Sequence, residues 1–316
     1  MYDVIALGEL LIDFAAVSAD SEGYPTMAAH PGGAPANFLA AVNKFGGKTA
    51  LIGKVGNDSF GQLLLKTLEN SGIDTCGMKL SDDFFTTLAF VSFDEHGDRS
   101  FAFSRKPGAD TQLCFEEVEL SMIDKCRVFH FGTLSLTHEP AKTATVKAVE
   151  YARSQGKLIS FDPNLRPPLW ASLEDARQQM EWGLSQADIV KISDEEVDFL
   201  WQLSPEEGAD KLLRDYGVKL AFVTCGAEGC VYKNARSTGT VPAMPGLNVI
   251  DTCGAGDIFG GSAMWQLLQN GKAPEALDDT ELYNIVHFAC TAAGLSTERS
   301  GGISSIPAMD EVQAHL

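Results

Sequence analysis

Short apolar runs alternating with amphipathic helical stretches constrain the fold of this chain of 316 residues more than any other feature. Residues 4–7, 50–52, 128–131, 158–161, 189–192 and 220–224 are dominated by Val, Ile, Leu, Ala and Phe, the pattern of strands buried on both faces. Between them, residues 34–45, 60–70, 140–154, 173–184 and 205–216 carry apolar side chains at helical spacing. Strand, helix and strand in repeating order favour parallel pairing through right-handed crossovers, which leaves helices on both faces of one sheet. The expected class is therefore α/β with a central, mostly parallel sheet. Ligands belong at the carboxyl ends of its strands.

One region breaks this rhythm. Residues 86–93 and 99–104 alternate aromatic and polar positions and are joined by the turn-like stretch 94–98, so Phe101 and Phe103 fall on one face. Residues 12–30 are β-like and turn-like where a helix would otherwise follow directly. The two segments, about 12–30 and 86–104, are expected to form a small β-sheet lid inserted in a single domain spanning 1–316. An ordinary surface hairpin would give the same local pattern.

The chemistry concentrates in Asp251-Thr252-Cys253-Gly254-Ala255-Gly256-Asp257, which opens an apolar run of helical spacing that includes Ile258, Phe259, Ala263, Met264, Leu267 and Leu268. The first amides of a helix lack intrahelical partners and carry partial positive charge, so a Gly-Ala-Gly start offers bare donors to a phosphate. Asp257 would face that anion. A carboxylate there is repulsive unless it takes the proton from the group attacking phosphorus. A glycine-rich turn with a capping Asp explains the same residues. Two other phosphate motifs fail on spacing: Gly56 to Gly61 is followed by Gln62 instead of Lys, and Gly254 and Gly256 are followed by Gly260, one position late for a dinucleotide fingerprint.

Charge and cysteine usage narrow the partners. Lys plus Arg total 24 against 43 Asp plus Glu, a net charge of -19 that repels nucleic acid and anionic membranes, so neither is expected as a partner. Any nucleotide site must then rely on local donors and a divalent cation. The seven Cys show no C-x-x-C pair, and the N-terminus lacks a basic leader, which together suggest reduced thiols in a cytoplasmic protein. The six His have no metal-ligand spacing.

Further candidates lie at the expected strand ends. Gly32-Gly33-Ala34-Pro35-Ala36-Asn37 precedes a helix and lets backbone approach a ligand closely, with Asn37 offering an amide suited to a polyhydroxylated molecule. Asp13 interrupts an apolar run and needs a partner, either ligand hydroxyls or strand-end amides. Arg166, in Asp162-Pro163-Asn164-Leu165-Arg166, is placed to reach phosphate or sugar oxygens. Ser193-Asp194-Glu195-Glu196 reads equally as a capping box and as a water-mediated magnesium holder through Glu196. Thr224 to Gly229 would let backbone lie beside a nucleotide or would simply form a tight turn.

Taken in order, the segment 32–37 with Gly46, Gly47 and Gly56 behind it, and the segment 251–257 with Gly260 and Gly261, resemble the ribokinase-like (PfkB) family of carbohydrate kinases over residues 1–307. The resemblance implies a ribokinase-like α/β fold with a β-lid over the sugar that often forms a dimer contact, and ATP and Mg2+ as cofactors. It implies Asp257 as catalytic base and an anion hole at Gly254, Ala255 and Gly256. Asp13, Gly32, Gly33, Asn37 and Arg166 would meet the sugar beneath Phe101 and Phe103. Thr224, Gly226, Gly229 and Cys290 would meet the nucleotide, together with Ser193, where many members have Asn. A monovalent-cation loop, K+ in some members, would correspond to Asp251 and residues 299–305. Within the family, residues 107–110, 162–166 and Leu169-Trp170 are most similar to fructokinases, which implies phosphorylation of D-fructose to fructose 6-phosphate. The competing readings are a 2-keto-3-deoxygluconate kinase, another sugar or nucleoside kinase, and a sugar-binding regulator without chemistry. An apolar lid face from Phe90, Phe101 and Phe103 suits a neutral sugar, whereas Arg105 and Arg166 suit an acid one.

Overall fold

The computed structural model describes residues 1–93 and 99–316, except for the side chains of residues 91–93 and 99–101. The expected connection at 94–98 and the side chain of Phe101 lie outside the described part. The strands are β1 (Tyr2–Leu7), β2 (Leu11–Ala19), β3 (Pro25–Gly32), β4 (Thr49–Gly56), β5 (Met78–Ser81), β6 (Leu88–Phe93), β7 (Arg99–Ser104), β8 (Cys126–Gly132), β9 (Leu158–Asp162), β10 (Ile189–Ser193), β11 (Leu220–Thr224), β12 (Cys230–Asn234) and β13 (Thr238–Val241). The helices are α1 (Ala34–Lys44), α2 (Ser59–Asn70), α3 (Leu120–Ile123), α4 (Ala141–Ser154), α5 (Leu173–Gln186), α6 (Asp194–Trp201), α7 (Pro205–Tyr216), α8 (Ala255–Asn270), α9 (Asp279–Ser296) and α10 (Met309–Gln313).

The main sheet runs β13-β12-β11-β10-β9-β8-β1-β4-β5. From β11 to β5 all neighbours are parallel, and the β12–β13 hairpin adds two antiparallel strands at one edge. Because side chains alternate across a strand, Val4 and Ala6 of β1 enter one core while Ile5 and Leu7 enter the other. The first core is closed by α1, α8 and α9 through Leu39, Val42, Phe259, Met264 and Phe288, the second by α4, α5 and α7 through Ala148, Leu184 and Leu212. Burial on both faces is why these strands read as continuous apolar runs. Side-chain caps from Asp58, Ser172, Ser193, Ser204 and Asp278 start α2, α5, α6, α7 and α9.

The α1–α8 contact depends on glycine. A Cβ on Gly261 would stand 2.3 Å from the Phe38 carbonyl oxygen and 2.7 Å from Ala41 Cβ, so the helix backbones touch where a side chain would hold them apart. Elements with no counterpart among the expected segments include β5, the β12–β13 hairpin, the short helices α3 and α10, and α9. Helix α9 buries Leu282, Val286, Phe288, Ala289, Cys290 and Ala292 around its circumference, which weakens the one-sided periodicity that marks a surface helix.

A second sheet, ordered β3-β2-β6-β7, is built from the two segments that break the rhythm of the chain. It is mixed, since β2 and β6 pair in parallel while β2–β3 and β6–β7 are antiparallel. Register sets its faces: Asp13 pairs with Ala89 and Ala89 with Phe103, whereas Phe14 pairs with Phe90 and Phe90 with Ala102. Phe90 therefore lies on the face opposite Phe103, which corrects the single apolar face expected from sequence. It stacks on Phe14 at 5.4 Å, and Phe14 in turn meets Phe60 of α2 edge-on at 5.6 Å.

Candidate active site

A cavity of about 900 Å3 opens at the carboxyl ends of the parallel strands, between the start of α8 and the second sheet. Gly254 precedes α8 in the left-handed region at φ 77°, which glycine adopts without strain. No side chain caps this helix. The first intrahelical bond runs from Ile258 N to Gly254 O at 2.8 Å, so the amides of Gly256 and Asp257 precede it and retain donor capacity at the positive end of the helix. Gly254, Ala255, Gly256 and Asp257 all line the cavity.

Asp257 is only 9% exposed. Its Oδ2 accepts from Asn37 Nδ2 at 2.9 Å and its Oδ1 from Asn164 Nδ2 at 3.4 Å. Burial pushes its carboxyl above the ordinary aspartate range, opposed by the Asn37 hydrogen bond and the charges of Lys191 and Arg166, and reinforced by Glu196. Asn37 reaches it from the first turn of α1, which starts at Gly33 with φ 116°. A Cβ on Gly33 would stand 2.5 Å from the Glu9 carbonyl oxygen, so only glycine lets α1 begin against the end of β1. Asn164 holds a left-handed backbone at φ 48°, a conformation Asn tolerates better than most residues.

At one end of the cavity Asp13, Phe103 and Arg166 face Asn37 and Asp257. Burial pushes Asp13 up to about 6, with Arg166 opposing and Asp257 and Asp251 adding to the shift. Gly32 does not line the cavity; a Cβ there would stand 2.1 Å from Asp13 Oδ2, so it makes room for that carboxylate. Glu9 does line it and was not anticipated. Its Oε1 accepts from Ala34 N at 3.0 Å, substituting for the side-chain cap that Gly33 cannot supply, and burial pushes its carboxyl up to about 7.

Ser193, Glu196, Thr224, Gly226, Gly229 and Cys290 line the other end. The capping box is formed: Ser193 Oγ accepts from Glu196 N at 3.2 Å and Glu196 Oε2 from Ser193 N at 2.9 Å. Glu196 Oε1 also accepts from Leu165 N at 2.7 Å, which ties the loop carrying Arg166 to α6. Gly229 has φ 107°, and a Cβ on it would stand 2.1 Å from Val241 O, so the turn reading holds there. Asp251 lies behind the lining: its carboxylate accepts from Cys253 N at 2.9 Å, Gly301 N at 3.1 Å and Ser300 Oγ at 3.3 Å.

Two basic residues change their standing. Arg105 is buried with Asp110 in an ion pair of 2.6 Å and also donates to Thr137 Oγ and Leu134 O, so it does not reach the cavity. Lys191, passed over in the sequence, does reach it from β10 and pairs with Asp162 Oδ2 at 3.1 Å. A lone Lys inside Ile189-Val190-Lys191-Ile192 was the available signal, because a buried ammonium needs a reason.

A family model described as pfkB family carbohydrate kinase matches residues 1–309. Fructokinase-1 of Zea mays is 39% identical over 313 residues, covering 98% of this chain and 96% of that protein. The crystal structure of fructokinase with bound ATP from Xylella fastidiosa superposes with a TM-score of 0.90 at 30% identity, covering 99% of this chain and 98% of that one. A fructokinase from Vibrio cholerae O395 in fructose, ADP and calcium ion bound form gives a TM-score of 0.86 at 30% identity, covering 100% and 99%. An uncapped helix start with a buried carboxylate in its first turn is thus found on a chain whose whole length matches one family. The chain belongs to the pfkB family of carbohydrate kinases.

Proposed function

We propose that this chain transfers the terminal phosphoryl group of ATP to a primary hydroxyl of a neutral ketohexose, converting D-fructose to fructose 6-phosphate. The observation that carries the reading is the adjacency of Asp257 to the uncapped start of α8, where Gly254, Ala255 and Gly256 line the same cavity. Asp257 takes the hydroxyl proton while the oxygen attacks phosphorus, a role worth roughly a hundred- to ten-thousandfold in rate. The helix-start amides stabilise charge on the transferring oxygens. Asp13, Asn37, Phe103 and Arg166 hold the sugar, and Ser193, Thr224, Gly226, Gly229 and Cys290 face the nucleotide.

Among the described residues no cluster of three or more His, Cys, Asp or Glu forms a metal cage. A cavity carboxylate such as Glu196 fits Mg2+ arriving with the nucleotide, which is ordinarily held by phosphates, waters and one or two carboxylates. Magnesium on the phosphates would supply charge neutralisation. Glu196 is the carboxylate of this chain that would hold it through water, since each of its oxygens has lone-pair capacity beyond the amides it accepts. Asp251, with residues 299–305, is proposed as the K+ loop. A dimer through the second sheet would cover Val17, Tyr24 and Phe90, which are all exposed. Among the described residues no helix is long and apolar enough to cross a membrane. The seven free cysteines support the cytoplasm as the working compartment.

The acid-sugar alternative is disfavoured by the cavity's charge. Arg105 is committed to Asp110, which leaves Arg166 against Glu9, Asp13 and Asp257 at the sugar end. A regulator without chemistry would have no use for the base. Coupled ADP release measured with fructose, ribose, 2-keto-3-deoxygluconate and adenosine tests the reading: turnover highest on fructose is expected, and none on fructose overturns the assignment.

A further inference from the structure

The inward row beneath α8 is polar, whereas Val4, Ala6, Leu51, Val128, Leu220 and Phe222 on the same sheet face are apolar. His130 on β8, Ser160 and Asp162 on β9 and Lys191 on β10 lie side by side across three parallel strands. His130 is buried, bonded through Nδ1 to Ser160 Oγ at 2.9 Å, and stacked on Phe38 at 3.9 Å. Burial and the Lys191 charge push it down to about 3, so it is neutral. The void behind Lys191 is about 10 Å3, room for one water at most. Among the described residues the hydrogen bonds of the ammonium run to Asp162 alone, at 3.1 Å and 3.3 Å. An ammonium has three donors, so at least one is left for the open side. Nζ stands 3.0 Å from the point a Cβ on Gly256 would occupy, beside the first turn of α8, and both residues line the cavity.

We propose that Lys191 is a further catalytic residue, its ammonium contacting the phosphoryl oxygens during transfer, with Asp162 as its positioning residue. This rests on the kinase reading above. A purely structural role is a poor account of the pair, because buried ion pairs rarely stabilise a fold more than apolar packing does, and Ile189 and Phe222 flank it on the same face. Burial alone would pull the ammonium down, yet Asp162, Glu196 and Asp257 outweigh it, so Lys191 stays charged. In the transfer the sugar oxygen bonds to phosphorus, the bond from phosphorus to the leaving ADP oxygen breaks, and the sugar proton passes to Asp257. Lys191 keeps all its protons and gives its remaining donor to a phosphoryl oxygen while Asp162 holds the ammonium in place.

The test uses Lys191→Met, the double variant Lys191→Met/Asp162→Asn, and Lys191→Cys with and without aminoethylation. The double variant removes both charges, so it buries no uncompensated one even if the single variant leaves Asp162 too costly to bury. Calorimetric affinities for ATP and ADP without sugar, and kcat and KM with it, are measured beside the unmodified chain. Expected are a kcat loss on the order of a hundred- to thousandfold in both Met variants, as for a missing oxyanion donor, a larger loss of affinity for ATP than for ADP, an unchanged sugar KM, and recovery on aminoethylation. A double variant with kcat within about threefold of the parent, or equal losses for ATP and ADP, overturns the proposal. If the unmodified chain fails on fructose, the substrate reading falls, while the ATP-to-ADP affinity ratio still reports on Lys191.

Discussion

Replacing Asp257 with Asn removes a base while keeping its shape. The amide oxygen can still accept from Asn37 Nδ2, now at 2.9 Å from Oδ2, and the second contact, at 3.4 Å from Asn164, is already long. The local packing is therefore expected to survive. The carboxyl is 9% exposed and burial raises its pKa, so its charge is a cost to the fold, and the neutral amide should leave the melting temperature unchanged or slightly higher. Losing the proton acceptor should cut kcat by roughly a hundred- to ten-thousandfold, or about 3–5 kcal/mol of barrier. In the parent, kcat/KM should fall as pH drops through the raised Asp257 pKa, because protonation disables the base; the residual rate of the variant should lack that acid limb. Coupled ADP release across pH, sugar affinity by calorimetry and a thermal melt make up the assay. Turnover within about tenfold of the parent, with the acid limb intact, would refute the role given to Asp257.

Gly261→Ala should destabilise the chain by about 1–3 kcal/mol or more, since its Cβ would overlap the Phe38 carbonyl at 2.3 Å; an unchanged denaturation midpoint would show that α8 slides freely on α1. Glu9 is pushed from about 4.5 up to about 7, so its burial penalises the folded state once the carboxyl ionises. Relative to the parent, Glu9→Gln should be stabilised by up to about 3 kcal/mol above pH 7, a difference that shrinks through the window between the two values and vanishes below about pH 4.5. Chemical denaturation at pH 4, 6 and 8 checks the sign, and a constant difference would contradict it. Asp110→Asn leaves the Arg105 guanidinium buried without its counter-charge and should cost about 3–5 kcal/mol in a urea titration, with the fold lost in the extreme case.

The main sheet was legible because its strands are buried on both faces and read as unbroken apolar runs. Helix α9 was not, because burial around its circumference erases the one-sided stripe that marks an amphipathic helix. Alternation within β7 predicts one face for Phe101 and Phe103, but whether Phe90 joins Phe103 depends on the register between β6 and β7, which no local pattern encodes. The same limit hid Lys191. Its partner Asp162 is 29 positions away in the chain and meets it only because β9 and β10 are parallel neighbours. Glu9 was passed over for a related reason, since capping of α1 is ordinarily sought in the residue before the helix and here comes from 25 positions upstream. The heptapeptide at the start of α8 was readable because its donors and its carboxylate are consecutive residues.

That contiguity divides the molecule into a conservative half and a permissive one. Apart from Lys191, the groups proposed to handle phosphorus are successive residues of a single helix end, with Asp251 just upstream accepting from Gly301 N, and no rearrangement can separate them. The opposite wall is assembled from three separate stretches of chain, β2, β7 and the loop after β9. Novel acceptors can thus be accommodated by remodelling one wall while the transfer apparatus is inherited intact.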